Sequence, residues 1–314
     1  MLEPVVTLII CTRNRASQLQ RTLASLSAMT TAQSWEAIIV DNASTDTTKK
    51  VIIDAARADA RIRYIKVDRI GLGAGRDAAW RLAKGAIISY TDDDCYLHPQ
   101  YVDEIVTAFS DFPSAGAIGG RILLHDPADA RITIDERTEQ ACYPAKSVIR
   151  AGFVQGANLS FRIDALCVSG GFDPALGAGT KFPCEDVDAV AAISWAGFEV
   201  RYDPRPTVYH HHRRTAAEIP ALLASYDAGR GAYWAKYVIR RDTRSAYAKE
   251  WSKITLSGRS LKSIKRTNRE IKYALQYMIF CKKIFPILVS FLFIAPIYLA
   301  LFLMMMASKV KAKW

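Results

Sequence analysis

No Cys-x-x-Cys pair occurs in the sequence, and no cysteine–histidine spacing of the kind that holds zinc. The six cysteines stand singly as Cys11, Cys95, Cys142, Cys167, Cys184 and Cys281. Scattered single cysteines fit a reducing cytoplasm. No internal repeat and no low-complexity tract is present. No secretory leader is expected, because Met1-Leu2-Glu3-Pro4 runs straight into an apolar strand. No RNA- or DNA-binding motif is visible, although the net charge is +11. From Arg230 onward basic residues greatly outnumber acidic ones, a tail suited to an anionic membrane surface. Nucleic acid is therefore not the expected partner.

What is present is a chain of 314 residues, half of them hydrophobic, enough for one large or two medium domains. One segment could meet a membrane. Phe285 to Ala307 carries no charge. As a helix it would reach about 35 Å, enough for a bilayer core. Lys282 and Lys283 precede it and Lys309, Lys311 and Lys313 follow, which leaves its orientation open. Pro286 and Pro296 would also allow a kinked, re-entrant insertion, and a buried soluble helix is the remaining alternative.

The first hundred residues alternate strand and helix patterns. Val5 to Cys11 is a β-branched apolar run, as in a strand buried on both faces. A helix is expected near 16–28, a strand at Trp35–Val40, and a helix opening at Asp46 with Ser44 and Asp46 as caps. A strand follows at Arg61–Val67, then a helix from Ala74 to Lys84 ending on Gly85, then a strand at Ala86–Tyr90. This order implies a Rossmann-like, mostly parallel α/β sheet flanked by helices. Beyond it come a long strand or strand pair at 115–124 and a polar excursion at 126–145. Strand character returns near 153–162, with a helix at 185–196 and a strand at 198–202. Pro204 and Pro206 predict a turn, and an amphipathic helix is expected over 216–241.

Ligands of such sheets bind beyond the carboxyl ends of the strands. Polar clusters stand there: Thr12-Arg13-Asn14-Arg15, then Asp41 to Asp46, then Thr91-Asp92-Asp93-Asp94. Three successive carboxylates repel one another. They need either a solvated turn or a cation, and a hard divalent ion prefers oxygen ligands. Gly71 to Asp77 is not a dinucleotide fingerprint, because the third glycine position holds Arg76. A helix start there would still favour an anion.

Taken in order, these segments with Gly170-Gly171-Phe172-Asp173, Glu185-Asp186-Val187-Asp188 and His210 give the chain a resemblance. Over roughly residues 5–212 it resembles the family 2 inverting glycosyltransferases of the GT-A fold, of the bacterial surface-glycan type. The resemblance implies a nucleotide-binding half over 1–98 and an acceptor half over 99–214. A basic helical extension at 215–280 and a membrane segment at 281–314 would follow. It implies nucleotide contacts by Thr12, Arg13, Arg15, Asp41, Asn42, Arg76, Asp92 and Asp93, with Asp41 meeting a uracil ring. Mg²⁺ or Mn²⁺ would be held by Asp92, Asp94 and His210, with His211 and His212 as lesser candidates. Asp186 would be the general base beside Glu185, and Asn158 and Asp173 would face the sugar or acceptor. Asp77 departs from the asparagine usual after the arginine. The implied reaction moves one sugar from a UDP-sugar or similar donor to a hydroxyl of a lipid-linked saccharide or other glycan acceptor. The expected place is the cytoplasmic face of the cell membrane. A Gln-x-x-Arg-Trp motif is absent, so processive synthesis is not expected. A nucleotidyltransferase of related fold and a non-catalytic nucleotide-sugar-binding protein are the rival readings.

Overall fold

The β-branched run at the start of the chain becomes an interior strand, third from one edge, of a nine-stranded sheet. The computed structural model describes residues 3–258 and 260–282. Strand β1 (Val6–Thr12) is buried along nearly its whole length, as is β2 (Trp35–Asp41). Helix α1 (Ala16–Ser27) connects them, and α2 (Thr48–Ala58) leads on to β3 (Ile62–Lys66). Helix α3 (Leu72–Trp80) then leads to β4 (Ile87–Asp92). Strands β3, β2, β1 and β4 lie side by side, all parallel. The chain thus reverses its winding direction at β1, and the switch point lies just beyond Thr12.

The second half departs from the expected parallel sheet. It comprises β5 (Cys95–Leu97), α4 (Tyr101–Asp111), β6 (Ala115–Leu124), β7 (Ala141–Tyr143), β8 (Asn158–Arg162), α5 (Ile163–Ser169), α6 (Glu185–Trp195) and β9 (Glu199–His210). Strand β8 is antiparallel to both β4 and β6, and β9 is antiparallel to β5 and β7; only β6 and β9 pair in parallel. The whole sheet is therefore mixed. Residues 204–206 form no turn. Strand β9 runs through both prolines, and its ladder with β6 jumps from Gly119–Tyr202 to Arg121–Thr207. The irregularity accommodates residues that lack an amide proton to donate.

Helix α3 starts earlier and ends sooner than its sequence pattern predicts. After Trp80 the chain tightens, with the amides of Leu82 and Ala83 reaching back only three residues. Gly85 is not a helix cap: its amide donates to Thr7 Oγ1 at 2.9 Å, and a Cβ there would stand 2.5 Å from the Thr7 nitrogen. The start of α3 is not an open anion site either. The amides of Leu72 and Gly73 donate to the carbonyls of Ala178 and Leu176. A Cβ on Gly73 would lie 2.4 Å and 2.5 Å from the carbonyl oxygens of Leu176 and Asp173. Both obstacles are backbone, so Gly73→Ala should cost about 1–3 kcal/mol. Thermal unfolding reads this directly, and an unchanged Tm would show that the 173–178 loop is free to move aside.

Two compact units divide the chain. One holds residues 1–180 and 185–219; the other holds Lys181–Cys184 and the chain from Pro220 on. A 3₁₀ turn at Ala216–Glu218 closes the first unit and leads into α7 (Ile219–Ile239), and the second unit continues with α8 (Arg244–Ser257) and α9 (Leu261–Phe280). From Asp227 to Tyr237, α7 is buried on most sides, not along one stripe as an amphipathic pattern predicts. Asp227 pairs with Arg230 and Arg269, and Glu270 pairs with Arg230 and accepts from Trp251 Nε1, which ties α7, α8 and α9 together. Among the described residues no helix is long and apolar enough to cross a membrane. Phe285–Ala307 lies outside the described residues.

Candidate active site

Strand register assembles the site. Thr12 stands opposite Asp41 on one side, and Cys11 stands opposite Asp92 on the other. The carboxyl ends of β2, β1 and β4 thus form one rim. The Asn42 amide closes it by donating to the Thr12 carbonyl at 2.9 Å.

The aspartate triplet does three different things. Asp92 ends β4 with its side chain 32% exposed. Asp93 is buried: Thr12 Oγ1 donates to it at 2.6 Å and Arg15 Nε pairs with it at 2.8 Å. Burial pushes its pKa to about 7, against the field of Arg15. Asp94 receives the other end of the Arg15 guanidinium and His210 Nε2, the latter at 3.2 Å. Strand β4 ends at Asp92 and the chain turns at Asp93–Asp94 before β5, and that turn brings the Asp94 carboxylate beside that of Asp92.

His210 arrives from the end of β9, far from the triplet in sequence. Strand β9 pairs antiparallel with β5, setting His210 opposite Cys95. One ligand atom from each of Asp92, Asp94, Cys95 and His210 lies within 4.8 Å of the others. Two carboxylates and an imidazole suit Mg²⁺ or Mn²⁺. Burial holds the Cys95 thiol well above its ordinary pKa, and a soft sulfur is a poor match for a hard cation. The donors fit a hard divalent cation through Asp92, Asp94 and His210. His211 and His212 turn elsewhere, towards Tyr96 and the Arg214 amide.

Burial opposes a charge on His210, but the hydrogen bond and field of Asp94 outweigh it and raise its pKa above the ordinary 6.5. The sign follows. In the metal-free protein, the stability contributed by the His210–Asp94 contact is present below pH 6.5 and is lost as pH rises through the elevated pKa. Mn²⁺ needs the neutral imidazole, so its affinity should rise over that same interval. Titrations of Mn²⁺ by electron paramagnetic resonance at several pH values check this. His210→Ala should flatten the profile and weaken binding by more than the roughly 10- to 100-fold loss that follows removal of an outer-sphere partner.

The second half of the site begins where α6 begins. Asp186 Oδ2 accepts from the Gly156 amide at 3.1 Å, and Oδ1 accepts from the Val187 amide at 2.7 Å. Those bonds fix its direction while leaving the residue partly exposed. Glu185 is buried, which raises its pKa, while Arg76 opposes the rise. Arg76 Nη1 lies 3.3 Å from Glu185 Oε1, and Nη2 lies 3.3 Å from Asp92 Oδ1 and 3.1 Å from the Gly156 carbonyl. Only 2% of its side chain is exposed. Arg76 was expected to face a nucleotide. Instead it is locked inside, linking Asp92 to Glu185 at the start of α6, and the rings of Tyr90 and Phe172 lie 5.5 and 5.9 Å from its Cζ.

The remaining expected residues divide. Asp41 is buried at the rim, accepting from the Ser44 amide at 2.9 Å, with Tyr64 Oη 3.4 Å away. Arg13 is exposed. Asn42 is engaged structurally: it donates to the Val67 and Arg69 carbonyls and accepts from the Gly71 amide. Asn158 is 1% exposed, donates to the Arg121 and Pro206 carbonyls, and accepts from Tyr101 Oη. Its amide stitches three strands, and that full set of partners leaves it no role towards a sugar. Asp173 accepts from the Ala175 amide, holding the turn that covers the start of α3. Sequence reasoning missed the Gly156 amide, which orients Asp186, and Cys95 beside the metal ligands. Only the adjacency of Cys95 to the triplet could have signalled it.

Residues 7–156 match the family model described as Glycosyl transferase family 2. Validoxylamine A glucosyltransferase of Streptomyces hygroscopicus subsp. jinggangensis is 29% identical over 150 residues, 47% of this chain and 35% of that protein. Pre-mycofactocin glycosyltransferase of Mycobacterium tuberculosis is 24% identical over 231 residues, 70% of this chain and 46% of that protein. The match spans about a third of the length of the first of these relatives. Among solved structures, a mannosyltransferase from Pyrobaculum calidifontis in complex with GDP-Man and Mn²⁺ superposes with a TM-score of 0.61 at 17% identity, covering 100% of this chain and 88% of that one. Staphylococcus aureus TarS 1–349 in complex with UDP-GlcNAc gives 0.58 at 11% identity, covering 86% and 81%. At those identities the likeness concerns the fold, which is GT-A.

Proposed function

We propose that this chain, whose residues 7–156 are a family 2 glycosyltransferase domain, is an inverting enzyme. It would move one sugar from a UDP-sugar to a hydroxyl of a lipid-linked saccharide or similar glycan acceptor. The observation that carries the reading is the Arg76 bridge. On one side stand Asp92, Asp94 and His210, and on the other Glu185 and Asp186.

Asp41 and Thr12 line the rim where the base and ribose would rest, and Asp41 can accept from a uracil N3–H. Arg15 already pairs two carboxylates and is placed to turn a planar fork towards a diphosphate. A divalent cation held by Asp92, Asp94 and His210 would supply Lewis-acid stabilisation of the leaving diphosphate. Asp186 Oδ takes the proton of the acceptor hydroxyl as that oxygen bonds to the anomeric carbon. The bond from that carbon to the diphosphate oxygen breaks, and the nucleoside diphosphate carries away the electron pair. One in-line displacement turns an α-linked donor into a β-linked product.

The donor is proposed as UDP-linked on the placement of Asp41 at the strand-end rim. A role in surface-polysaccharide assembly at the cytoplasmic face of the membrane rests on the basic C-terminal region and the free state of all six cysteines. The test is a panel of UDP- and GDP-sugars with Mn²⁺ or Mg²⁺, with and without membrane lipid extract, scored for nucleotide release. Metal-dependent release with a UDP-sugar, stimulated by the extract, is the expected result. Release from no member of the panel would reject the reading.

A further inference from the structure

The positive charge of this protein is concentrated in the second unit. Residues 220–282 contain fourteen Lys and Arg against four Asp and Glu. Two of those acids, Asp227 and Glu270, are buried and paired with arginines. Between Glu250 and Glu270 there is no acidic residue at all, while Lys253, Arg259, Lys262, Lys265, Arg266 and Arg269 are basic.

Helix α9 arranges part of this charge on a face. Its inner side buries Ile264, Thr267, Ile271, Ala274, Tyr277 and Met278. At helical spacing Leu261, Lys265, Lys272 and Ile279 fall on one outer stripe, with Lys262 and Phe280 beside it. All six are exposed. Leu261 is 66% exposed and Ile279 65%, one at each end of a helix about 30 Å long. Leu256, exposed at the end of α8, adds a second leucine at the α8–α9 turn. Among the described residues no carboxylate pairs with Lys253, Lys262, Lys265 or Lys272.

We propose that the outer face of α9, with the α8–α9 turn, docks flat on an anionic lipid bilayer. Lysines meet the headgroups while Leu256, Leu261, Ile279 and Phe280 enter the boundary between headgroups and acyl chains. Exposed leucine and isoleucine beside unpaired lysine fit that boundary. A single-stranded nucleic acid would call for a row of exposed aromatic platforms, and this stripe offers only Phe280. The proposal is independent of the sugar-transfer reading and of any insertion by residues 285–307.

The full chain is used, with Cys142, Cys167 and Cys281 changed to Ser and Leu261→Cys carrying an environment-sensitive fluorophore. It is reconstituted into vesicles of phosphatidylcholine alone or mixed with phosphatidylglycerol. The probe should shift to the blue and be quenched by nitroxide-labelled lipid only in the mixed vesicles, and high salt should reverse both effects. Lys262→Glu, Lys265→Glu and Lys272→Glu together should reduce that bound population by roughly 100-fold. Circular dichroism should stay native, because all three side chains are in solvent. A probe that stays in water in mixed vesicles overturns the proposal, as does one that enters both vesicle types equally. Loss of single-stranded RNA retention in the triple variant, with lipid burial intact, would also overturn it and assign the face to nucleic acid.

Discussion

Asp186→Asn should lower turnover by about 10²- to 10⁴-fold, the range that a positioned general base contributes. The variant should leave nucleotide and Mn²⁺ binding close to that of the parent. The reason is geometric. Asp186 touches neither the strand-end rim nor the metal ligands; its two oxygens are held by the Gly156 and Val187 amides. Asparagine keeps one acceptor for those two donors, so the loop and helix stay together at a modest cost in stability. It loses the negative oxygen that would take a proton. Calorimetric titration with UDP and Mn²⁺, run beside an assay of nucleotide release, separates the two effects. Turnover within a few-fold of the parent would remove Asp186 from the mechanism and leave Glu185 as the carboxylate to consider.

Arg76→Met should be the most destabilising single change in the catalytic unit. The guanidinium is buried between Asp92 and Glu185, and both carboxylates lose their shared counter-charge when it goes. Leaving a buried charge unpaired costs about 3–5 kcal/mol. In a unit of this size that corresponds to a fall in Tm of roughly 10 °C. The Arg76→Met, Glu185→Gln double variant should recover much of the loss, because it removes the buried carboxylate together with its partner. Activity should not return, since Asp92 remains without its restraint. Thermal melts of the parent, both single variants and the double variant form a complete cycle. Strict additivity within it would refute the bridge that the proposed function rests on.

The position of Arg76 illustrates what could not be read from the chain. Next to a glycine-rich helix start, an arginine looks like a phosphate ligand. Its actual partners are Asp92, Gly156 and Glu185, which lie 16, 80 and 109 positions away. Burial by such distant groups leaves no local signature. Asn158 is similar, being held by atoms of Tyr101, Arg121 and Pro206. The mixed second half of the sheet was hidden for a related reason. Parallel crossovers announce themselves through alternating strand and helix patterns, whereas antiparallel pairing between distant strands depends on long-range register. Prolines 204 and 206 suggested a turn because the bulge on their own strand, five residues of β9 against two of β6, is defined only by the register with that partner.

The succession of strands and helices through β4, the polar rim at the strand ends and the acidic triplet follow from the sequence alone. Each rests on a local cause: apolar periodicity, β-branched runs, and three carboxylates crowded at the end of an apolar strand. Which carboxylates lie together, which histidine joins them, and how the start of α6 is tied to that group were decided by tertiary structure. Those choices depend on the pairing of β5 with β9 and on a single buried guanidinium, and neither is a property of any short stretch of chain.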